Sequence, residues 1–76
     1  MAQFELDTKG LLCPMPVIKT QNMIHSLTPG DTLHVIATDP GVLHDIPAWC
    51  RINGHSVISA EEKDKEIHII VEVLDA

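Results

Sequence analysis

Alternating hydrophobic and polar residues predict four β-strands along the chain. In residues 3–7, Phe4 and Leu6 share one face and acidic residues occupy the other, and residues 32–38 alternate in the same way. Segments 55–62 and 66–74 form two further predicted strands, separated by a turn at residues 63–65. In the last strand, positions 67, 69, 71 and 73 are all Ile or Val, so one of its faces is expected to cover a hydrophobic core.

Hydrophobic residues recur at helical spacing between the first two predicted strands. In residues 14–26 and just beyond, the positions that recur on one helix face are Val17, Thr20, Met23, Ile24 and Leu27. The segment ends at a Thr-Pro-Gly-Asp sequence at residues 28–31, which is a strong turn signal. These features predict a first helix that stops before residue 28.

A second helix is predicted over residues 46–53. Asp45 precedes it as an N-cap residue, Pro47 falls in the first turn, and Gly54 provides the stop at the C-terminal end. The pattern leaves open whether this helix begins earlier, near Pro40.

The predicted element order is βαβαββ, which indicates an α+β fold. We expect a two-layer α/β sandwich, formed as one domain over residues 1–76, with a mixed four-stranded sheet and both helices packed on one face. The opposite face of the sheet is expected to meet water with a largely polar set of side chains: His34, Ile36, Thr38, His68, Ile70 and Glu72.

Composition excludes several classes of function. The 76 residues carry 5 basic and 11 acidic side chains, a net charge of −6, which argues against direct binding of nucleic acid. One Phe, one Trp and no Tyr leave few rings for stacking on bases. Because the chain lacks a long apolar run, a signal-peptide pattern and a disulfide framework, the sequence predicts a cytoplasmic protein that does not enter membranes.

Cys13 is the residue whose position predicts chemistry. It stands directly before Pro14, with Pro16 two residues further on, at the start of the first predicted helix. A residue before proline is disfavoured in helical conformation, so Cys13 is expected in an N-cap-like position with its sulfur toward the N–H groups of Met15 and Val17. The helix dipole would then favour the thiolate. The alternative is a half-buried, inert cysteine at a helix start.

No histidine lies near Cys13 in the sequence, and a chain of this length has little room for a catalytic pocket. A nucleophilic thiol without such surroundings suits a carrier that takes a group from one enzyme and gives it to another. Cys50 is expected to be a small residue facing the core. Two other hypotheses stay open: a thiol redox protein with Cys50 as the resolving cysteine, and an interaction domain without thiol chemistry.

Five histidines raise the question of a metal site, but no pair has the i, i+4 spacing of zinc ligands. His34 and His68 could face each other across the open side of the sheet, and surface histidines without a metal are the expected reading. Asp7 and Asp39 follow or end strands before turns, so their carboxylates are expected to accept backbone N–H groups.

Residues 6–16 read LDTKGLLCPMP and resemble the LDxxGLxCPxP signature of the TusA family, also called SirA-like sulfur carriers. The motif positions are Asp7, Gly10, Cys13, Pro14 and Pro16. Further similarities follow in the family's order at residues 28–31, 37–40, 45–50 and 54–55. The resemblance implies the same βαβαββ sandwich and a persulfide held on Cys13.

The resemblance also implies partners. The donor would be a cysteine desulfurase or a rhodanese-type protein, and the acceptor a DsrE-like or Tus-relay protein. The pathway would be either 2-thiouridine synthesis in tRNA or dissimilatory sulfur oxidation, with no cofactor and no independent turnover. Met15 departs from the acidic residue of some tRNA-branch members, whereas Cys50 matches several of them, so the branch stays open. Met15 and Lys19 are the candidate partner contacts.

Overall fold

The computed structural model describes residues 1–74 of the chain. Its elements are β1 (Gln3–Thr8), α1 (Met15–Ile24), β2 (Thr32–Ala37), α2 (Val42–Asn53), β3 (Ser56–Lys63) and β4 (Glu66–Glu72). The predicted order βαβαββ is confirmed, and the strand boundaries differ from the predicted ones by at most two residues.

The four strands form one sheet in the order β1-β2-β4-β3. β1 and β2 are parallel, because α1 carries the chain back across the sheet between them. β4 is antiparallel to both β2 and β3, and β3 is joined to it by a short hairpin. The sheet is therefore mixed, as predicted, with β2 and β4 at its centre and β1 and β3 at its edges.

The core lies between one face of the sheet and the two helices. The buried residues of the central strands occupy alternate positions, and the helices contribute residues at helical spacing: Ile24, Leu33, Val35, Ala37, Val42, Ile46, Cys50, Ile67, Ile69, Val71 and Val73. Burying a side chain of Val, Leu or Ile stabilises the fold by roughly 1.5–3 kcal/mol relative to leaving it exposed. This common core explains why both helices pack on the same face of the sheet.

Helix α1 is shorter than predicted. It begins at Met15 with Pro14 as its N-cap residue, and it ends at Ile24 rather than near residue 26. The N–H groups of Ser26 and Leu27 bond to carbonyls three residues back, so the chain tightens into a turn before Pro29. Leu27 is still buried, which explains why it belonged to the predicted apolar stripe.

Helix α2 is longer than predicted, and it answers the question that the pattern left open. It begins at Val42 after Gly41, so Asp45 is not the N-cap residue but lies within the first turn, and Pro47 lies inside the helix. Buried Val42, Ile46 and Cys50 are spaced four residues apart on one face of α2. Packing of that face against the sheet outweighs the backbone hydrogen bond that Pro47 cannot donate.

Candidate functional site

Cys13 is an exposed residue in the loop between β1 and α1. The peptide bond from Cys13 to Pro14 is cis, and the N–H of Met15 donates to the carbonyl of Leu12 over 3.0 Å. Cys13 therefore precedes the N-cap residue instead of occupying that position. The predicted contact between its sulfur and the N–H of Met15 is wrong, because Leu12 already accepts that N–H.

Two carboxylates hold Cys13 instead. The Sγ thiol donates to Oδ2 of Asp45 over 2.8 Å, and the backbone N–H of Cys13 donates to Oδ2 of Asp39 over 2.7 Å. Asp39 and Asp45 lie 26 and 32 positions further along the chain. Their contacts with Cys13 were not predicted, since nothing in the spacing of these residues indicates that they meet.

The carboxylates shift the pKa of the Cys13 thiol in the direction opposite to the predicted one. The hydrogen bond to Asp45, followed by desolvation and the negative charges of Asp45 and Asp39, raises the pKa of Cys13 above its usual value. The predicted depression of this pKa by the helix dipole is therefore wrong. In the resting protein Cys13 is a thiol whose proton points at a carboxylate.

Asp39 is held as an anion beside the cysteine. Backbone N–H groups of Gly41 and Cys13 donate to its carboxylate and lower its pKa below the usual range. The bond from the Gly41 N–H, 3.0 Å long, is the turn-forming contact that the sequence predicted for Asp39. Asp39 therefore connects the cysteine loop to the start of α2.

Gly41 lies close to both carboxylates. A Cβ atom at this position would lie 3.4 Å from Oδ1 of Asp39 and 3.7 Å from Oδ2 of Asp45, the oxygen that accepts the thiol. The carbonyl of Gly41 also accepts the backbone N–H of Asp45 over 3.0 Å. The first turn of α2 thus places the carboxylate of Asp45 against the loop that carries Cys13.

Gly10 and Asp7 support this loop from its other end. Gly10 has a φ of 82°, a left-handed conformation that glycine adopts without strain, and its N–H donates to Oγ1 of Thr38 over 2.9 Å. Oδ1 of Asp7 accepts the N–H of Lys9 over 2.9 Å, which confirms the predicted backbone contact of this carboxylate. The loop before Cys13 is therefore tied both to itself and to the end of β2.

Large apolar side chains are exposed before and after Cys13 along the chain. Leu12 is 75% exposed, Met15 41% and Ile18 42%, although all three are large hydrophobic residues. We call these three residues the apolar rim. Isolated exposed hydrophobic residues are common, but a group that flanks a reactive atom is typical of a surface that meets another protein.

Lys19 lies in a groove whose lining includes no residue of the apolar rim. With Leu6, Asn22, Met23 and Ser26 it lines an open groove of about 330 Å³. None of these residues comes from the loop that carries Cys13 or from the start of α2. Of the two predicted partner contacts, Met15 belongs to the apolar rim two residues after Cys13, and Lys19 lies in the groove.

Cys50 lies in the core, as predicted. Its side chain is 0% exposed, and burial raises the pKa of its thiol to about 11. Cys50 follows Asp45 by five residues on α2, which corresponds to about 7.5 Å along the helix axis. Both cysteines are free thiols.

His34 and His68 face each other on the open side of the sheet, with Nε2 of His34 2.8 Å from Nδ1 of His68. Glu5 and Glu66 lie 3.5 and 3.4 Å from the remaining ring nitrogens. Within residues 1–74, no group of three or more His, Cys, Asp and Glu side chains is arranged to hold a metal ion. None of the helices described in that range is long and apolar enough to cross a membrane.

Comparison with known proteins gives a consistent set of relatives. The family model for sulfurtransferase TusA matches residues 4–73. A sulfur carrier protein TusA of Allochromatium vinosum is 36% identical over 73 residues, which cover 93% of this chain and 96% of that protein. A sulfur carrier protein TusA of Pseudomonas aeruginosa is 45% identical over 58 residues, 76% of this chain and 73% of that protein.

The fold has a solved counterpart. The crystal structure of a SirA-like protein from Desulfitobacterium hafniense superposes with a TM-score of 0.83 over 95% of this chain and 99% of its own. Since the two sequences are 19% identical, this similarity shows the shared fold alone.

Proposed function

The chain belongs to the TusA family, and we propose that it is a sulfur carrier in which Cys13 holds sulfane sulfur as a persulfide. The observation that carries the proposal is the exposure of the Cys13 thiol beside the apolar rim, in a family whose curated relatives are named sulfur carriers. Cys50 cannot reach a partner in the same way, since its sulfur is inside the core.

The proposed reaction is transfer between cysteines. A cysteine desulfurase or a rhodanese-type protein presents a persulfide, and the sulfur of Cys13 attacks the outer sulfur of that group. A DsrE-like or Tus-relay protein then removes the sulfur by the same type of attack on Cys13. The loaded sulfur serves either 2-thiouridine synthesis in tRNA or dissimilatory sulfur oxidation, and the carrier works in the reducing cytoplasm, where free thiols persist.

The apolar rim is the proposed surface for these partners. Leu12, Met15 and Ile18 would be covered when a partner brings its own cysteine to Cys13. Contact through three exposed hydrophobic side chains suits a short-lived complex, because a carrier must leave each partner after transfer. No cofactor takes part in this reaction.

Sulfur loading tests the proposal directly. The chain is incubated with a cysteine desulfurase and cysteine, or with a rhodanese and thiosulfate, and its intact mass is measured. We expect the wild-type protein and Cys50→Ala to gain one sulfur atom, and Cys13→Ser to gain none, because the exposed thiol is the only proposed acceptor. Circular dichroism checks that each variant is folded. Loading of Cys13→Ser combined with loss of loading in Cys50→Ala would overturn the assignment.

The redox hypothesis predicts a different product from the same proteins. Under mild oxidant it requires a disulfide between Cys13 and Cys50, seen as the loss of two hydrogens from the intact mass. Because Cys50 is buried, its sulfur would have to leave the core before this bond could form. We therefore expect no such product, and its formation would favour the redox protein over the carrier.

A further inference from the structure

We propose that Asp45 is a catalytic residue of the carrier, which takes the proton from Cys13 as its sulfur attacks and returns a proton to Cys13 when the sulfur leaves. This inference rests on the proposed function, because it assigns a role in the same transfer. Its basis is the hydrogen bond of 2.8 Å from the Cys13 thiol to Oδ2 of Asp45.

Asp45 is the carboxylate that is free to accept a proton. The two oxygens of Asp39 are already engaged, one by the N–H of Cys13 and the other by the N–H of Gly41. By contrast, the thiol of Cys13 is the single hydrogen-bond partner that the structure gives the Asp45 side chain within residues 1–74. Asp39 therefore positions the backbone of Cys13, and Asp45 contacts the atom that reacts.

Within residues 1–74, Asp45 is the side chain to which the Cys13 thiol is hydrogen-bonded, and no histidine contacts that sulfur in this way. His34 and His68 bond to each other, and Nδ1 of His55 accepts the N–H of Leu74 while its ring stacks on Trp49. Histidine is the usual base beside a nucleophilic cysteine, and here a carboxylate occupies that position. The half-buried location of Asp45 in the first turn of α2 holds the oxygen toward the sulfur.

The loading step balances as follows. The Sγ atom of Cys13 forms a bond to the outer sulfur of the donor's persulfide, and the sulfur–sulfur bond of the donor breaks. The electron pair of the broken bond stays on the donor's cysteine sulfur. The proton of the Cys13 thiol moves to Asp45 and from there to the donor's cysteine, so the donor leaves as a thiol and the sulfane sulfur keeps its oxidation state.

The unloading step is the same reaction with the roles exchanged. The thiol of the acceptor attacks the outer sulfur on Cys13 and gives its proton to Asp45, and the bond between the two sulfurs of the Cys13 persulfide breaks. The electron pair remains on Sγ of Cys13, and Asp45 passes the proton to it. One carboxylate thus serves both directions, and the carrier returns to the thiol that the structure contains.

This arrangement predicts opposite effects of one substitution on two reactions of the same sulfur. Asp45→Asn keeps the size of the side chain, removes its negative charge and cannot accept the proton. Alkylation of Cys13 by iodoacetamide at neutral pH should become faster. This reagent reacts with the thiolate, and loss of the charge at position 45 allows more thiolate to form. Sulfur loading should slow by about 100-fold or more, the usual contribution of a positioned acid–base group.

The experiment measures both rates for the wild-type protein, Asp45→Asn and Asp45→Ser, with rapid quenching and intact mass for the loading step. Glu72→Gln is the matched control, because it also removes one negative charge. Glu72 lies at the end of β4, beside the start of β2, and therefore at the other end of the sheet from Cys13. We expect the control to change neither rate. Thermal unfolding confirms that each variant is folded, and Asp45→Ser provides a second removal of the carboxylate.

The outcomes separate this inference from the proposed function. Opposite changes in the two rates for both Asp45 variants support the proton transfer. If loading becomes faster together with alkylation, or stays at the wild-type rate, Asp45 only suppresses the thiolate and the inference is overturned, although Cys13 still carries sulfur. If Cys13→Ser loads as the wild type does, the proposed function itself fails.

Discussion

The two cysteines of this chain show how tertiary surroundings give one residue type two different properties. Cys13 lies in an exposed loop, where the hydrogen bond to Asp45 raises the pKa of its thiol. Cys50 lies in the core, where burial alone raises the pKa to about 11. Both residues rest as thiols, but within residues 1–74 it is the Cys13 thiol that donates a hydrogen bond to a carboxylate.

The difference matters because a raised pKa has two physical origins with opposite consequences for reactivity. Around Cys50 the thiol is stable because burial removes the water that would solvate a charge. Around Cys13 the thiol is stable because a carboxylate accepts its proton, and the same contact offers a route for that proton when a partner's sulfur arrives. In the proposed transfer, a thiol of this second kind is protected at rest and becomes reactive when a partner binds.

The largest expected difference between the two cysteines is in their access to a small reagent. In the native protein, iodoacetamide should modify Cys13 at least about 1,000-fold faster than Cys50, because Cys50 becomes accessible only when the core opens. Peptide mapping by mass spectrometry over a time course measures both rates. In denaturant the rates should converge. Comparable rates in the native protein would show that the core around Cys50 opens readily.

A smaller difference is expected in stability. Cys50→Ser should lower the free energy of unfolding by about 1–3 kcal/mol, since a hydroxyl group would be buried among apolar side chains. Cys13→Ser should change it by less than about 0.5 kcal/mol, because the position is exposed. Urea denaturation followed by circular dichroism gives both values. Equal losses in the two variants would contradict the assignment of Cys50 to the core.

The smallest effect concerns the dependence of stability on alkaline pH. The pKa of Cys50 in the folded protein is about 11, above the usual value of 9.0, so the unfolded chain loses this proton first as the pH rises. The unfolded state then binds fewer protons than the folded state, and the free energy of unfolding decreases. Urea denaturation of the wild-type protein and Cys50→Ala at about pH 8 and pH 10 measures the effect. Between these two pH values, the free energy of unfolding should decrease less in Cys50→Ala than in the wild-type protein. An equal decrease in both proteins would show that other groups cause the loss of stability.

Much of the fold could be predicted from local pattern. Apolar residues at every second position of residues 3–7 and 66–74 located β1 and β4, because a half-buried strand turns alternate side chains toward the core. The start of α2 was left open for an equally local reason. Asp45 and Pro47 both favour a helix start there, but the buried face formed by Val42, Ile46 and Cys50 extends the helix beyond them.

The candidate site was predicted only in part. Proline on both sides of Met15 located Cys13 at the beginning of α1, and exposure of this cysteine agrees with that reading. The ionisation of the thiol was predicted in the wrong direction, since the residues next to Cys13 in the sequence reveal only the dipole of the helix that follows it. Asp39 and Asp45 belong to another part of the chain, and their effect depends on distances that residue spacing does not contain.

The sequence by itself determined the order of the elements, the strand faces that form the core and which cysteine lies just before a helix, because these follow from periodicity and from the local conformations of proline and glycine. Tertiary structure alone decided what surrounds the sulfur. Packing of α1 and α2 on the same face of one sheet brings Cys13 to Asp45 across 32 positions of chain. Electrostatic interactions depend on separation in space, so the character of the Cys13 thiol appears only once the chain is folded.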